Sequence, residues 1–373
     1  MLIKEAFKFM WYDKAKMFGI LFGMILSVFL VGQQVMICLA LLGSTVSLAT
    51  FNEDYIWVVS DKSKQVIDLP LIDMRIAREL MSIRGVKSAS PMVFGGGNVK
   101  LSDGSKTPVS IIGTEAPSFA GGPWRVIKGQ PNDLLQDGAI FLDSMNPEFT
   151  NRIKVGDQVE YNGQRVRVAG LTKTTQGLGT SYGFTTIQRA RKLCNVPTTR
   201  ASAVLVSWQD GFTPEQVVAN INAEIPGITA RTGKNYADES LRYFASSSGI
   251  VASFGLLVVF AVITGFAIVG LTLYSAVSDR LRDYGTLKAI GGTNRTIRKL
   301  ILSQALIYAV TGFSLAYGLL LVFINATKGS LDLQLTPVLS FSLVGVTILI
   351  AMLGSLFGMR RIIKLEPAAV FRG

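Results

Sequence analysis

Four stretches of the chain carry no charged residue: Met17 to Asn52, Tyr243 to Ser278, Leu300 to Thr327 and Leu333 to Met359. Each is longer than the about 20 apolar residues that cross a bilayer core as a helix. A buried helix of a soluble protein explains one such run, but not four together. The pattern therefore predicts four transmembrane helices. The first two windows outlast the membrane, and their far ends turn polar at Ser44, Thr45, Ser47, Thr50 and Asn52, and at Ser246, Ser247 and Ser248. Either both helices continue outward as a stalk, or each ends in a short polar linker.

Between the first two spans, residues 53–242 alternate and break like a soluble α+β domain. Asp73 to Ile83 has helical spacing and ends at Gly85. Pro214 to Ile225 reads as a second helix, opened by proline and closed by Pro226-Gly227. A strand is predicted before each helix, over Tyr55 to Ser60 and Ala203 to Ser207, and one after each, at Val86 and at Ile228-Thr229-Ala230. A strand-helix-strand unit thus occurs twice, with an insertion of about 113–200 between the copies. Chance likeness of two amphipathic helices is the other reading. The insertion is predicted to be mostly strand. Asp157 to Tyr161 and Gln164 to Val168 alternate around Asn162-Gly163, a hairpin signature. Gly95-Gly96-Gly97 and Gly121-Gly122-Pro123 are predicted to be turns. The first cluster is no phosphate loop, since neither a Lys-Ser/Thr pair nor a helix start follows it.

Charge sets the orientation. Lys4, Lys8, Lys14 and Lys16 precede the first span. Arg280, Arg282, Lys288, Arg295, Arg298 and Lys299 lie between the second and third, and Arg360, Arg361, Lys364 and Arg372 follow the fourth. Only Glu5, Asp13, Asp279, Asp283 and Glu366 oppose them. Basic residues mark the cytoplasmic side. Both termini and 279–299 are therefore expected to be cytoplasmic, and 53–242 outside. The resulting order is a cytoplasmic segment 1–16, span and stalk 17–52, the external domain 53–242, stalk and span 243–278, and a cytoplasmic segment 279–299. Span 300–327, a short external loop 328–332 holding Lys328 and Asp332, span 333–359 and a cytoplasmic tail 360–373 complete it. Most of the formal +12 of the chain is thus topological, and no nucleic-acid footprint is left. Ser47-Leu48-Ala49 resembles a cleavage site, but the apolar stretch before it is too long for a signal core, so a retained span is expected.

Composition then narrows the chemistry. With no histidine, His-dependent triads, His metal sites and His pH switches are excluded. Cys38 and Cys194 are too few for a zinc site. No nucleophile elbow occurs, so neither catalytic residues nor a metal site are expected. No charge sits inside a span, which argues against ion coupling. Gly19 with Gly23, and Gly354 with Gly358, have helix-packing spacing.

The stretch Asp279-Arg280-Leu281-Arg282-Asp283-Tyr284-Gly285-Thr286-Leu287-Lys288-Ala289-Ile290-Gly291-Gly292 places Leu281, Tyr284, Leu287, Lys288 and Ile290 on one face of a short helix stopped by glycine. The spacing fits a helix on the membrane surface or a knob for a groove in another protein. This stretch closely resembles the coupling region of MacB/FtsX-type ABC transporter permeases. The tail from Gly358 to Arg372, with Leu365-Glu366-Pro367, resembles that family's ending, and Val155 to Val159 with Asn162-Gly163 resembles its hairpin. Asp283 to Ala289 looks most like the DevC-like subgroup. MacB carries its ATPase before its first span. Here about 16 residues precede that span and no Gly-x-x-x-x-Gly-Lys-Ser/Thr loop occurs.

The resemblance implies a membrane α-helical permease with a large α+β extracytoplasmic domain, homodimeric, in a bacterial inner membrane. It holds no cofactor itself and works with two separate ABC ATPase subunits that bind ATP and Mg. A periplasmic membrane-fusion adaptor and a TolC-like outer-membrane channel are the further implied partners. In this mechanotransmission (type VII) scheme the spans carry no cargo. Arg282, Asp283, Tyr284, Gly285, Thr286, Leu287, Lys288, Ala289 and Ile290 would form the ATPase-coupling helix, with Tyr284 and Leu287 as apolar anchors and Arg282 and Lys288 at the rim. The same resemblance leaves open an FtsX-like regulator of a cell-wall hydrolase and a lipoprotein-releasing permease.

Overall fold

The computed structural model describes residues 13–327 and 332–363. Lys4, Lys8, Lys328 and the tail motif from Lys364 onward lie outside the described residues. Two compact units emerge, one of membrane-type helices and one of mixed α+β structure.

The helical unit is built on α1 (Lys14–Thr50), whose residues up to Cys38 belong here. In the α+β unit follow β1 (Ile56–Ser60), β2 (Ile72–Asp73), α2 (Ile76–Leu80), β3 (Val86–Lys100), β4 (Lys106–Thr114), β5 (Val126–Lys128), β6 (Ala139–Asp143), β7 (Gln158–Tyr161), β8 (Gln164–Thr172), β9 (Gln176–Gly177) and β10 (Thr180–Thr186). Then come α3 (Ile187–Cys194), β11 (Arg200–Ala201), β12 (Ala203–Trp208), α4 (Pro214–Glu224), β13 (Ile228–Thr232) and α5 (Gly233–Ser247). The helical unit resumes with α6 (Ile250–Ser278), α7 (Leu281–Ala289), α8 (Asn294–Ala326) and α9 (Pro337–Ile363). Helices α1, α6, α8 and α9 are long and apolar enough to cross a membrane.

The helical unit packs through small residues. Gly23 lies against Ile268, Gly19 against Thr272, and Gly354 against Val269 and the backbone of Gly270. Met17, Ile20, Met24 and Val28 of α1 meet Val269 and Leu273 of α6, Tyr308 and Ala309 of α8, and Ile350 of α9 in one buried cluster. Ser27 donates to the Ala261 carbonyl at 2.7 Å, which places a hydroxyl across the α1–α6 contact rather than in lipid. Gly358 lies in α9; its surroundings are not among the described side chains.

In the α+β unit, β1, β3, β12 and β13 pair antiparallel in the order β13-β1-β12-β3. Helices α2 and α4 cover one face through Ala77, Leu80, Val217 and Ile221, packed on Ile56, Val58, Val204 and Val206. This is the twice-occurring strand-helix-strand unit, closed into a split βαβ sandwich. Helix α4 starts where Thr213 accepts the Gln216 N–H and Gln216 accepts the Thr213 N–H, a capping box with Pro214 at the first turn. Strands β4 to β10 form the insertion, continuing the sheet as β3-β4-β10-β6-β8-β5, with β4/β10 and β6/β8 parallel. Asn162 (φ 46°) and Gly163 (φ 82°) turn β7 into β8 with Tyr161 facing Gln164, the left-handed pair a two-residue hairpin requires.

Three expectations need correction. Gly95-Gly96-Gly97 is not a turn but the middle of β3. A Cβ on Gly95 would lie 2.7 Å from that of Cys194, and one on Gly97 2.5 Å from the Asn162 amide. Glycine here admits close neighbours on an extended strand. The helix read over Asp73 to Ile83 shrinks to Ile76–Leu80, because Ile72 and Asp73 pair with Ala201 and Arg200. The apolar window Tyr243 to Ser278 is two helices, interrupted where Gly249 takes φ +68°. The first of them starts at Gly233, where Thr232 caps it by accepting the Asn235 N–H.

Candidate functional site

The segment between α6 and α8 is held at both ends. Arg280 donates its N–H to the Val277 carbonyl at 3.3 Å, so α6 runs almost directly into α7. Gly291 stops α7 with φ +97°, its N–H on the Lys288 carbonyl at 3.1 Å. Two residues later Thr293 caps α8 by accepting the Thr296 N–H at 3.3 Å. The helix is thus clamped between two spans with almost no slack.

Tyr284 is 3% exposed and sits in a cluster with Val277, Ile297, Leu300, Ile301 and Met359. Its hydroxyl reaches the Gln304 side chain, and burial pushes the phenol up to about 12. The sequence reading made Tyr284 an anchor for a partner; the structure turns it inward, onto the membrane helices. The reason is packing. A nine-residue helix joined to two spans has an apolar surface of its own chain beneath it, and its largest ring fills that surface first. Gly285 is buried beside it, whereas Arg282, Asp283 and Thr286 are exposed, Lys288 is half-buried, and Ile290 is 77% exposed. The side chains of Leu287 and Ala289 lie outside the described set. An uncovered isoleucine ringed by polar groups is the apolar contact this segment offers outward. Arg295, Arg298 and Lys299 extend the exposed surface with positive charge.

Beneath α7, a polar cavity of about 30 Å³ is lined by Asp13, Lys16, Arg280, Tyr284, Gln304 and Tyr308, room for about one water. Lys16 pairs with Asp279 and, at 3.4 Å, with Asp13. The start of α1 is thereby tied to the residue just before α7. Sequence reasoning used Lys16 and Asp279 only for topology and passed over Gln304 and Tyr308. Their signal was present: two polar groups four residues apart in an otherwise apolar window share a helix face. Among the described residues no group of three or more His, Cys, Asp or Glu side chains could hold a metal.

Comparison with known proteins matches residues 17–224 to the MacB-like periplasmic core domain and residues 255–367 to the FtsX-like permease C-terminal domain. Uncharacterized ABC transporter permeases from two strains of Mycobacterium tuberculosis are 25% identical over 312 residues, covering 82% of this chain and 80% of theirs. Among solved structures, the periplasmic region of MacB from Actinobacillus actinomycetemcomitans aligns with a TM-score of 0.40 at 12% identity, covering 50% of this chain and 92% of that one. The extracellular domain of the noncanonic ABC-type transporter YknZ from Gram-positive bacteria aligns at 0.36 and 14% identity, covering 48% and 98%. The first family match spans more than half of the chain and the second takes in the α7 segment, so the protein belongs to the MacB/FtsX-type ABC transporter permeases, with four membrane helices and a large extracytoplasmic α+β domain.

Proposed function

We propose that this chain is the non-catalytic membrane subunit of an ATP-driven exporter of the mechanotransmission (type VII) kind, DevC-like in working with a separate ATPase. Two copies form a homodimer in a bacterial inner membrane, with both termini and α7 on the cytoplasmic side. Each α7 engages one of two ABC ATPase subunits, which bind ATP and Mg. The extracytoplasmic domain engages a membrane-fusion adaptor and, through it, a TolC-like channel for efflux or secretion.

The observation that carries this reading is the division of α7 into two faces. Tyr284 fastens it to the membrane helices, and Arg282, Asp283, Thr286 and Ile290 remain outward. A helix so fastened passes a push on its outer face into α6 and α8, because its capped ends leave few backbone torsions to absorb the movement. Helix α1, unbroken from Lys14 to Thr50, and α5 with α6 are the elements through which movement leaves the helical unit.

Ile290→Asp tests the docking face, since it puts a charge where an apolar contact is expected without touching the Tyr284 cluster. Affinity for the ATPase should fall by about ten-fold or more, the loss of a central apolar anchor, measured by co-purification from membranes. Full ATPase retention and normal export in this variant would refute the docking assignment. Labelling Lys288→Cys with a membrane-impermeant maleimide checks the side: modification from outside intact cells overturns the topology.

A further inference from the structure

The α+β domain holds a cavity of about 510 Å³, lined among others by Phe51, Tyr55, Pro117, Ser118, Phe119 and Trp124. That size is typical of small-molecule sites. No acidic or basic residue lines it. Phe51 stacks on Trp124 with ring centroids 5.3 Å apart and planes 16° apart, and the Arg125 guanidinium lies over Phe51 at 4.6 Å. The wall is therefore a pair of stacked aromatic faces with a single cation at its edge.

Two costs accompany this arrangement. Phe119 and Arg125 take φ 45° and φ 51°, left-handed values unfavourable to side chains of their size. The Trp124 indole N–H is buried and has no hydrogen-bond acceptor among the described residues. Neither cost is offset locally, and strain of this kind collects where a surface is held ready for a ligand. Edge-to-face contacts of Trp124 with Phe184 at 4.8 Å and Tyr182 at 5.8 Å fix the ring from behind.

We infer that this cavity binds a compact ring-bearing amphiphile, its apolar body against Phe51 and Trp124 and its acidic end at Arg125. The stacked rings offer a face to a flat apolar body. The uncharged lining disfavours a cationic one, and Arg125 supplies the only charge at the edge of the stack, favouring a carboxylate or sulfonate. The inference rests on the export reading only in taking the ligand to be cargo.

The test is equilibrium dialysis of the full chain in lipid nanodiscs against naphthoate and naphthol, with empty nanodiscs subtracting partition into lipid. Saturable binding of one ligand per chain is expected, tighter for naphthoate. Phe51→Ala should weaken both by about ten-fold. Arg125→Gln should erase the advantage of naphthoate and spare naphthol. Ser118→Trp, which fills the cavity and leaves both anchors intact, should abolish binding of both, so the outcome does not hang on the folding of Phe51→Ala. No saturable binding by the wild type, or undiminished binding by Ser118→Trp, overturns the proposal. Binding of a proline-rich decapeptide in place of the naphthalenes would assign the cavity to a peptide and overturn it as well. Dialysis needs no ATPase, so failure here leaves the exporter assignment standing, while an intact pocket on a chain that retains no ATPase sinks that assignment alone.

Discussion

Lys16, in the first turn of α1, is ion-paired with Asp279, one residue past the end of α6 and two before α7 begins. The lysine is mostly buried and the carboxylate mostly exposed, with side-chain exposures of 22% and 62%. An exposed pair contributes about 0.2–1 kcal/mol, and partial burial places this one toward the upper end. Lys16→Glu should therefore lower thermal stability measurably, and Lys16→Glu with Asp279→Lys should regain most of it. Recovery stays incomplete because Asp13, also paired with Lys16, then faces an acid. A double-mutant cycle on thermal unfolding in nanodiscs measures the coupling; strictly additive losses would show that the pair contributes nothing.

Tyr284 separates holding α7 from docking on it. Tyr284→Phe removes the hydroxyl contact with Gln304 and should cost about 1 kcal/mol. Tyr284→Ala empties a buried site among Val277, Ile297 and Ile301 and should cost about 3–5 kcal/mol. Hydrogen exchange distinguishes the roles. Tyr284→Ala should deprotect the amides of 281–290, whereas Ile290→Asp should leave them protected and still lose the ATPase. Protection unchanged by Tyr284→Ala would mean that α7 does not rest on this ring.

How far the sequence carries the fold differs by element, for physical reasons. Charge-free windows announce membrane helices because lipid forbids almost everything else. Asn162-Gly163 and Thr213-Pro214 announce a hairpin and a helix start because those residues supply the required φ and cap. The direction of Tyr284 was not legible: periodicity groups residues on a face but does not say whether that face meets its own chain or a partner. Nor were the glycines of β3, which serve Cys194 and Asn162, neighbours that only the fold supplies. Pairing of Ile72–Asp73 with Arg200–Ala201 joins segments more than 120 residues apart, and the break at Gly249 lies in a run whose composition reads as continuous helix.

The glycines of the helical unit give a graded prediction. A Cβ on Gly354 would lie 3.0 Å from Val269 and 3.6 Å from the Gly270 Cα, where backbone faces backbone. A Cβ on Gly19 would lie 3.6 Å from a Thr272 methyl, an ordinary contact. Gly354→Val should therefore force α9 off α6 and cost about 1–3 kcal/mol, while Gly19→Ala should leave thermal stability within about 0.5 kcal/mol of wild type. Equal losses in the two variants would remove the packing role assigned to Gly354.

Asp143 makes the stability of the α+β domain depend on pH in an unusual direction. It is fully buried at the end of β6, and its carboxylate accepts the N–H groups of Met145 and Thr174 at 3.0 Å and of Thr175 at 3.2 Å, with a further bond from the Gln176 side chain. Burial raises its pKa above the ordinary 3.8, and these bonds pull it back only in part. The folded chain therefore binds this proton more tightly than the unfolded chain. Between 3.8 and the raised value the folded state holds the larger share of protons, so this group's contribution grows as pH falls through that window and is lost as pH rises through it. Asp143→Asn cannot titrate, and its amide faces at least one N–H donor, at a cost of about 1–3 kcal/mol. The melting temperature of wild type relative to Asp143→Asn should thus rise on acidification from pH 7 toward about pH 4. A difference that shrinks instead would place the carboxyl below its ordinary range, with the three N–H bonds outweighing desolvation.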